Sequence, residues 1–340
     1  LADTKQLAPT IAALKPTMLL GVPMVWYKFK AGLEAAVAAE EGPKAKLINW
    51  ALDVGSQQAD ALIAGRSMPP LLKAQHAIAD KLVLSKLRER VGLDQMLLAV
   101  SGAAPVSPDA LKFFISLGLP MAEGWGMSES CLVGTLTPLE HPRPGTVGKP
   151  LPGVEVRIAD DGELLVKSAG VMRGYRNSPA QTAEAIDPEG WLHTGDVATI
   201  DQDGYVVIVD RKKELIINAA GKNMSPTNIE SAIQVECGLI GSVIAIGDLR
   251  PYVTALVCLD PEASADVDDA AALAQVEAAV ERANAGLSRV EQIKKFKIVP
   301  NTWEAGGDEL TPTMKLKRKP IAEKYSDLID ELYGTDDRRK

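Results

Sequence analysis

The chain has 340 residues, 46% hydrophobic and 24% charged, which is long enough for two domains and a sizeable core. A formal net charge of -8 argues against a general nucleic-acid binder, because a phosphate backbone needs a concentrated positive surface. No run of about 18 apolar residues is present to span a bilayer, and the first residues lack the basic, apolar, small-residue order of a signal segment. Cys131, Cys237 and Cys258, like His76, His141 and His193, are scattered. They predict neither a disulfide frame nor a zinc site, and the cysteines read as reduced small hydrophobes of a cytoplasmic protein.

In chain order, Ala8 to Leu14 reads as a helix, and the apolar run Thr17 to Val22 as a buried strand. Pro23 to Leu98 is mostly helical by spacing, with apolar stripes such as Leu47, Ile48, Ala51, Leu52 and Val54, a pattern that core packing explains by default. Leu97 to Val100 is a short strand running into Ser101-Gly102-Ala103-Ala104-Pro105, whose small residues let backbone approach a flat ligand closely. A helix over Leu111 to Leu117 and a strand over Pro120 to Glu123 follow, and that strand leads into Gly124-Trp125-Gly126-Met127-Ser128-Glu129. Loops after the carboxyl ends of parallel strands are where α/β sheets place ligands.

Val154 to Ile158 and Gly162 to Val166 read as strands, Gly170 to Tyr175 as a turn and Thr182 to Ile186 as a short helix. Thr194-Gly195-Asp196 is expected in a turn, and Asp201 to Gly204 turns a hairpin into a strand over Tyr205 to Val209 that ends at Asp210-Arg211. An ionised Asp196 accepts two hydrogen bonds, enough for the vicinal hydroxyls of a ribose, and Arg211 would donate to the same sugar. On the hairpin alone, a turn-forming Asp beside a solvated basic run is the default reading.

Beyond Lys213 a smaller domain is expected. Ser225 caps a helix that has Pro226 at its first position. Leu239 to Gly247 and Tyr252 to Leu259 form strands, Asp260 to Asp269 a solvated acidic loop, and Ala270 to Asn284 a helix.

Gly124 to Glu129, Thr194-Gly195-Asp196, Asp210 to Glu214, Gly221-Lys222-Asn223 and the ending Leu310-Thr311-Pro312-Thr313-Met314-Lys315-Leu316-Lys317-Arg318 together resemble the acyl-adenylate-forming superfamily. VPMVWYKF, LINWALDVG and LTPTMKLKR resemble its long-chain fatty acyl-CoA synthetase branch, and Leu287 to Ile298 its lid helix and strand. The resemblance implies an α/β fold: the remainder of a large parallel-sheet domain over 1–144, a small β-barrel subdomain over 145–210, a hinge at 211–213 and a mobile α+β domain over 214–340.

It also implies roles. Trp125, Gly126, Gly102, Ala103 and Ala104 form a slot for adenine, the Ser128 hydroxyl touches phosphate, and Glu129 binds Mg²⁺. Asp196 and Arg211 hold the ribose of ATP, Lys213 is the hinge, and Gly221 belongs to the loop used in the coenzyme A step. Lys315 is the catalytic lysine. Met314 replaces the glycine usual before it, which removes backbone freedom. The apolar helical faces around Trp26 would line an acyl tunnel, and GVMRGY is a scaffold signature without chemistry.

No Ser/Thr/Gly-rich phosphate loop of the form SGTTGxPKG occurs in the chain, so it is expected to be a fragment lacking an N-terminal half, weak or inactive alone, or completed by a homo-oligomer. The implied activity is long-chain fatty acid–CoA ligation with fatty acid, ATP and coenzyme A, without nucleic acid, in the cytoplasm or peripheral at a membrane. Adenylation of another carboxylic acid and a noncatalytic nucleotide-binding module are the alternatives.

Overall fold

The computed structural model describes residues 6–132, 134–219, 221–304, 306–311 and 315–334. Two compact units divide the chain, Leu1–Val209 and Asp210–Lys340.

In the first unit, helix α1 (Leu7–Leu14), strand β1 (Met18–Gly21), helices α2 (Pro23–Ala38), α3 (Gly42–Ile63), α4 (Pro70–Ala79) and α5 (Ser85–Arg90), strand β2 (Leu98–Gly102), helix α6 (Pro108–Ser116) and strand β3 (Met121–Trp125) come first. Strands β4 (Thr135–Leu136) and β5 (Lys149–Pro150) complete a five-stranded sheet of order β1-β2-β3-β4-β5. The pairs β1/β2 and β2/β3 are parallel, and the last two are antiparallel. Pro23 at the first turn of α2 costs no helical hydrogen bond. Trp26, Phe29 and Leu33, three and four residues apart, then turn one stripe inward.

Trp26 is fully buried. Its ring meets Phe114 edge-on at 5.4 Å and 70°, and its Nε1 donates to the Gly21 carbonyl at 3.2 Å. Ile48, Ala51, Val54 and Ala59 of α3 join the same core, so the stripes around Trp26 are packing surfaces. The strand expected to be buried, β1, is an edge strand: β2 is its neighbour in the sheet, and Met18 and Leu20 point outward, 62% and 60% exposed.

Strands β6 (Val154–Ile158), β7 (Glu163–Ser168), β8 (Leu192–Ile200) and β9 (Val206–Arg211), with helix α7 (Pro179–Ala185) between β7 and β8, form the small β subdomain, a four-stranded sheet in that order. The expected turn at Thr194-Gly195-Asp196 is instead part of β8, where Leu192, Thr194, Asp196 and Ala198 alternate inward. The register against β7 shifts between Glu163 and Leu165, which pair with Val197 and His193. Gly195, at φ +71, supplies the left-handed residue that this bulge requires. A bulge re-aims the side chains beside it, here those of the Thr194–Asp196 segment.

The second unit contains the short hairpin β10 (Ile216–Ile217) and β11 (Asn223–Met224), helix α8 (Pro226–Gln234), strands β12 (Ile240–Ile246) and β13 (Val253–Leu259), helix α9 (Asp269–Gly286), strand β14 (Ile293–Ile298), and helices α10 (Arg318–Lys324) and α11 (Ser326–Tyr333). The sheet runs β12-β13-β14, antiparallel then parallel. Ile229, Ile233, Val276 and Val280 pack on one side, and Trp303, Ile321, Tyr325 and Ile329 form a separate core cluster. The Ser225 Oγ accepts from the Asn228 N–H at 3.0 Å, the cap read from sequence. No helix precedes β14 within Leu287 to Gln292. Asn284 instead fixes the approach to the strand, its Oδ1 accepting from Ile293 N–H at 2.9 Å and its Nδ2 donating to the Ile293 carbonyl at 2.9 Å.

Candidate nucleotide site

The register of β2 and β3 sets Gly102 beside Gly124 and Ser101 beside Glu123. The Gly102-Ala103-Ala104 loop and Trp125 therefore leave the carboxyl ends of adjacent parallel strands, where α/β sheets place ligands. Gly126 follows with no room for a side chain: a Cβ there would stand 2.5 Å from the Leu132 carbonyl oxygen. The half-buried Trp125 packs against the small core of Leu164, Ala198 and Val206. Its Nε1 donates to Asp196 Oδ2 at 2.8 Å.

That contact joins two motifs 71 residues apart. Asp196 is 4% exposed, and its backbone N–H donates to Thr194 Oγ1 at 3.1 Å while Thr194 Oγ1 donates to the Leu164 carbonyl at 2.7 Å. Gly195 N–H donates to Glu163 Oε1 at 2.7 Å. The Thr-Gly-Asp segment is thus held by hydrogen bonds from its neighbours, and its carboxylate accepts a charge-assisted bond from the Trp125 indole.

Ser128 is exposed on a single 3₁₀ turn with Glu129. The Tyr175 hydroxyl donates to Glu129 Oε1 at 2.8 Å, and this bond, ahead of burial, raises the Tyr175 phenol above its ordinary pKa. Tyr175 was read from sequence as scaffold, although its place after Gly174 in GVMRGY was visible. Among the described residues no group of three or more His, Cys, Asp or Glu side chains is arranged to hold a metal ion. A lone carboxylate suits Mg²⁺, which keeps several waters and takes its other ligands from substrate phosphate.

In the second unit Arg211 and Lys213 are exposed in the turn that closes on the Arg211 carbonyl, which accepts from Glu214 and Leu215 N–H at 2.9 and 3.1 Å. Asp210, read from sequence only as the strand end before Arg211, is 5% exposed. It accepts from Ser225 Oγ at 2.5 Å and from Thr227 N–H at 3.1 Å. Gly221, at φ +75 and exposed, follows the Asn218 turn, to whose carbonyl it donates at 2.8 Å.

Lys315 is exposed, and its backbone is held by Thr311 through bonds of 3.0 and 2.8 Å. Met314 lies outside the described residues. Three residues on from Lys315, Arg318 donates to both Glu230 oxygens at 2.5 and 2.9 Å and to Glu214 at 3.1 Å. Lys317 Nζ donates to the Gly307 carbonyl at 2.8 Å. Burial works against the Arg318 charge, but the two carboxylates outweigh it and hold the guanidinium cationic. Cys237 and Cys258 are buried as expected, whereas Cys131 is exposed in a turn after Ser130.

The profile of the AMP-binding enzyme family matches residues 1–176, and that of the AMP-binding enzyme C-terminal domain matches residues 213–337. The chain belongs to the AMP-binding enzyme family. Its sequence is 51% identical to fadD11 of Mycobacterium tuberculosis, which bears the name of a fatty-acid–CoA ligase, over 98% of this chain and 61% of that protein. It is 38% identical to the long-chain-fatty-acid–CoA ligase FadD15 of Mycobacterium bovis, over 98% of this chain and 57% of that protein. The chain thus spans less than two thirds of the length of these relatives. The adenylation domain of a carboxylate reductase from Mycobacterium chelonae shares the fold with a TM-score of 0.70 at 23% identity, covering 98% of this chain and 49% of that one. The family and the α/β fold read from the motifs are those found.

Proposed function

We propose that the chain serves a long-chain fatty acid–CoA ligase of the AMP-forming kind. The observation that carries this is the 2.8 Å bond between Trp125 and Asp196, which makes one site of the adenine and ribose motifs. The carboxylate of the fatty acid attacks the α-phosphorus of ATP and expels pyrophosphate, giving acyl-AMP. The coenzyme A thiolate then attacks the acyl carbon and expels AMP.

In this reading Trp125 and the Gly102–Ala104 loop receive adenine, and Asp196 and Arg211 the ribose hydroxyls. Ser128 meets phosphate, and Glu129, oriented by Tyr175, would hold Mg²⁺. The metal, when bound, shields the phosphate charge. Lys315 brings positive charge to the carboxylate and phosphate as two anions approach. Lys213 is the hinge that withdraws Lys315 and brings the Gly221 loop to the thioester step. The long-chain relatives support an aliphatic acid, and a peripheral membrane contact is compatible with it. Among the described residues no helix is long and apolar enough to cross a membrane.

The test is ATP–pyrophosphate exchange with Mg²⁺, with palmitate against benzoate and acetate. Exchange favouring palmitate supports the reading, and preference for benzoate or acetate moves it to another acid. Because the chain holds no SGTTGxPKG segment, turnover by these 340 residues alone is expected to be weak. Binding of ATP or acyl-AMP without turnover in a chain that contains the phosphate loop would favour a noncatalytic module.

A further inference from the structure

Helix α4, the π turn Asp80–Leu84 and helix α5 follow one another without a break from Pro70 to Arg90, and this rod carries two apolar stripes. One packs inward: Ala79, Val83, Leu84 and Leu87 are buried in the core of the first unit, and Leu72 packs against it. The other faces outward. Leu71, Ile78 and Leu82 are 71%, 53% and 42% exposed, with Ala74 and Ala77 exposed between them. Steps of seven and four residues keep side chains on one face of a helix, so the three large side chains form a ridge about 16 Å long at 1.5 Å per residue. The charges of the segment have one sign. Between Ala61 and Arg88 the sole acid is Asp80, and Arg88 Nη1 donates to its Oδ1 at 2.7 Å. Arg66, Lys73, Lys81 and Lys86 are exposed, and no ion pair among the described residues engages them. Lys81, three residues after Ile78, and Lys86, four after Leu82, stand beside the ridge.

We propose that this ridge is a docking surface for an anionic lipid bilayer: the rod lies along the membrane with Leu71, Ile78 and Leu82 in the boundary between headgroups and acyl chains, and Lys81 and Lys86 on lipid phosphate. The combination of an apolar ridge and unanswered cations selects this partner. An anionic bilayer buries the ridge and attracts each lysine near its surface. A second copy of the chain does not fit, because a symmetric pairing of the ridge gathers the cations of both copies in one interface with no acid to answer them. The chain as a whole, at net charge -8, is repelled by anionic lipid, so binding has to come from a local patch such as this one. The long-chain acid of the reading above is itself a bilayer solute, which agrees with the surface but does not carry it. Sequence spacing shows apolar stripes in this segment, and only the packing of Ala79, Val83 and Leu87 tells which of them is left outside.

The test is cosedimentation of the chain with phosphatidylcholine vesicles, with and without phosphatidylglycerol, at low and high salt. Binding is expected to the vesicles that contain phosphatidylglycerol, and high salt is expected to weaken it at least about tenfold. Ile78→Asp, which sets an anion on the ridge, should lower it at least about tenfold, and Lys81→Gln about fivefold. Leu273→Asp, the same kind of change at an exposed leucine of α9, should leave it unaltered. These sites are on the surface, so melting temperatures equal to that of the wild type separate loss of contact from loss of fold. No binding, binding indifferent to phosphatidylglycerol, or a loss in Leu273→Asp as large as in Ile78→Asp overturns the proposal. A dimer in size-exclusion chromatography that Ile78→Asp dissolves overturns it too, giving the ridge to a second copy. So does binding by this chain that is lost in a chain also containing the phosphate loop, which gives the ridge to that part.

Discussion

Asp196 owes its position to its neighbours. Its carboxylate sits 4% exposed in a bulged strand, with the Trp125 indole N–H as a donor. Trp125→Phe removes that donor from a buried anion and is expected to cost about 1.5–3 kcal/mol of stability in the first unit, read by thermal melting, and to weaken AMP binding as well. Trp26→Ala, away from the nucleotide, is expected to cost about 3–5 kcal/mol with AMP affinity unchanged in the folded fraction. A shift in acyl chain-length preference with Trp26→Ala would contradict its place in the core. Lys315→Ala is expected to slow acyl-AMP formation far more than thioester formation from preformed acyl-AMP, and equal loss in both steps would remove Lys315 from its assigned role. The residue types of these motifs were legible from the sequence because ribose, metal and phosphate each need a particular functional group. The partners were not: Tyr175 reaches Glu129 across 46 residues, and Trp125 reaches Asp196 across 71, distances that no local pattern encodes.

Among the elements, α8 and the segment before α10 are fastened by charge. Glu230, on the buried side of α8, is held by the Arg318 fork and itself accepts from the Ala245 N–H at 2.8 Å. The segment that carries Lys315 is thereby anchored three residues downstream to the helix that follows Gly221. Arg318→Ala leaves Glu230 buried and unpaired and is expected to cost about 3 kcal/mol, visible as a lower melting temperature of the second unit. Arg318→Lys, unable to make the fork, should recover only part of it. The elements themselves were mostly legible from spacing and caps, Ser225-Pro226 above all. The misses have physical causes. Thr194-Gly195-Asp196 reads as a turn because glycine marks turns more often than bulges, and Leu287 to Gln292 reads as helical until Asn284 is seen to cap the strand that follows. That Arg318 is paired was not legible, because its acidic partners lie 88 and 104 residues earlier.

At the scale of the whole chain, two units of different chemistry should respond differently to pH. Burial pushes the Glu123 carboxyl up to about 8, above the ordinary carboxylate value. Its contribution to stability is therefore complete below the unfolded pKa and is lost as pH rises through about 8. Melting of the first unit should fall between pH 5 and 9, and the difference between wild type and Glu123→Gln isolates that share. A difference that does not vary with pH would mean that Glu123 is already ionised when folded.

The most direct measurement is the affinity of a non-hydrolysable palmitoyl-adenylate sulfamate for the chain and for Asp196→Ala, with the acetyl counterpart as control. Binding of the palmitoyl compound well above the acetyl one, weakened at least about tenfold by Asp196→Ala, the loss of a charge-assisted hydrogen bond, is the expected result. Equal binding of the two acyl compounds, or affinity indifferent to Asp196, would contradict a site built for a long-chain acyl adenylate.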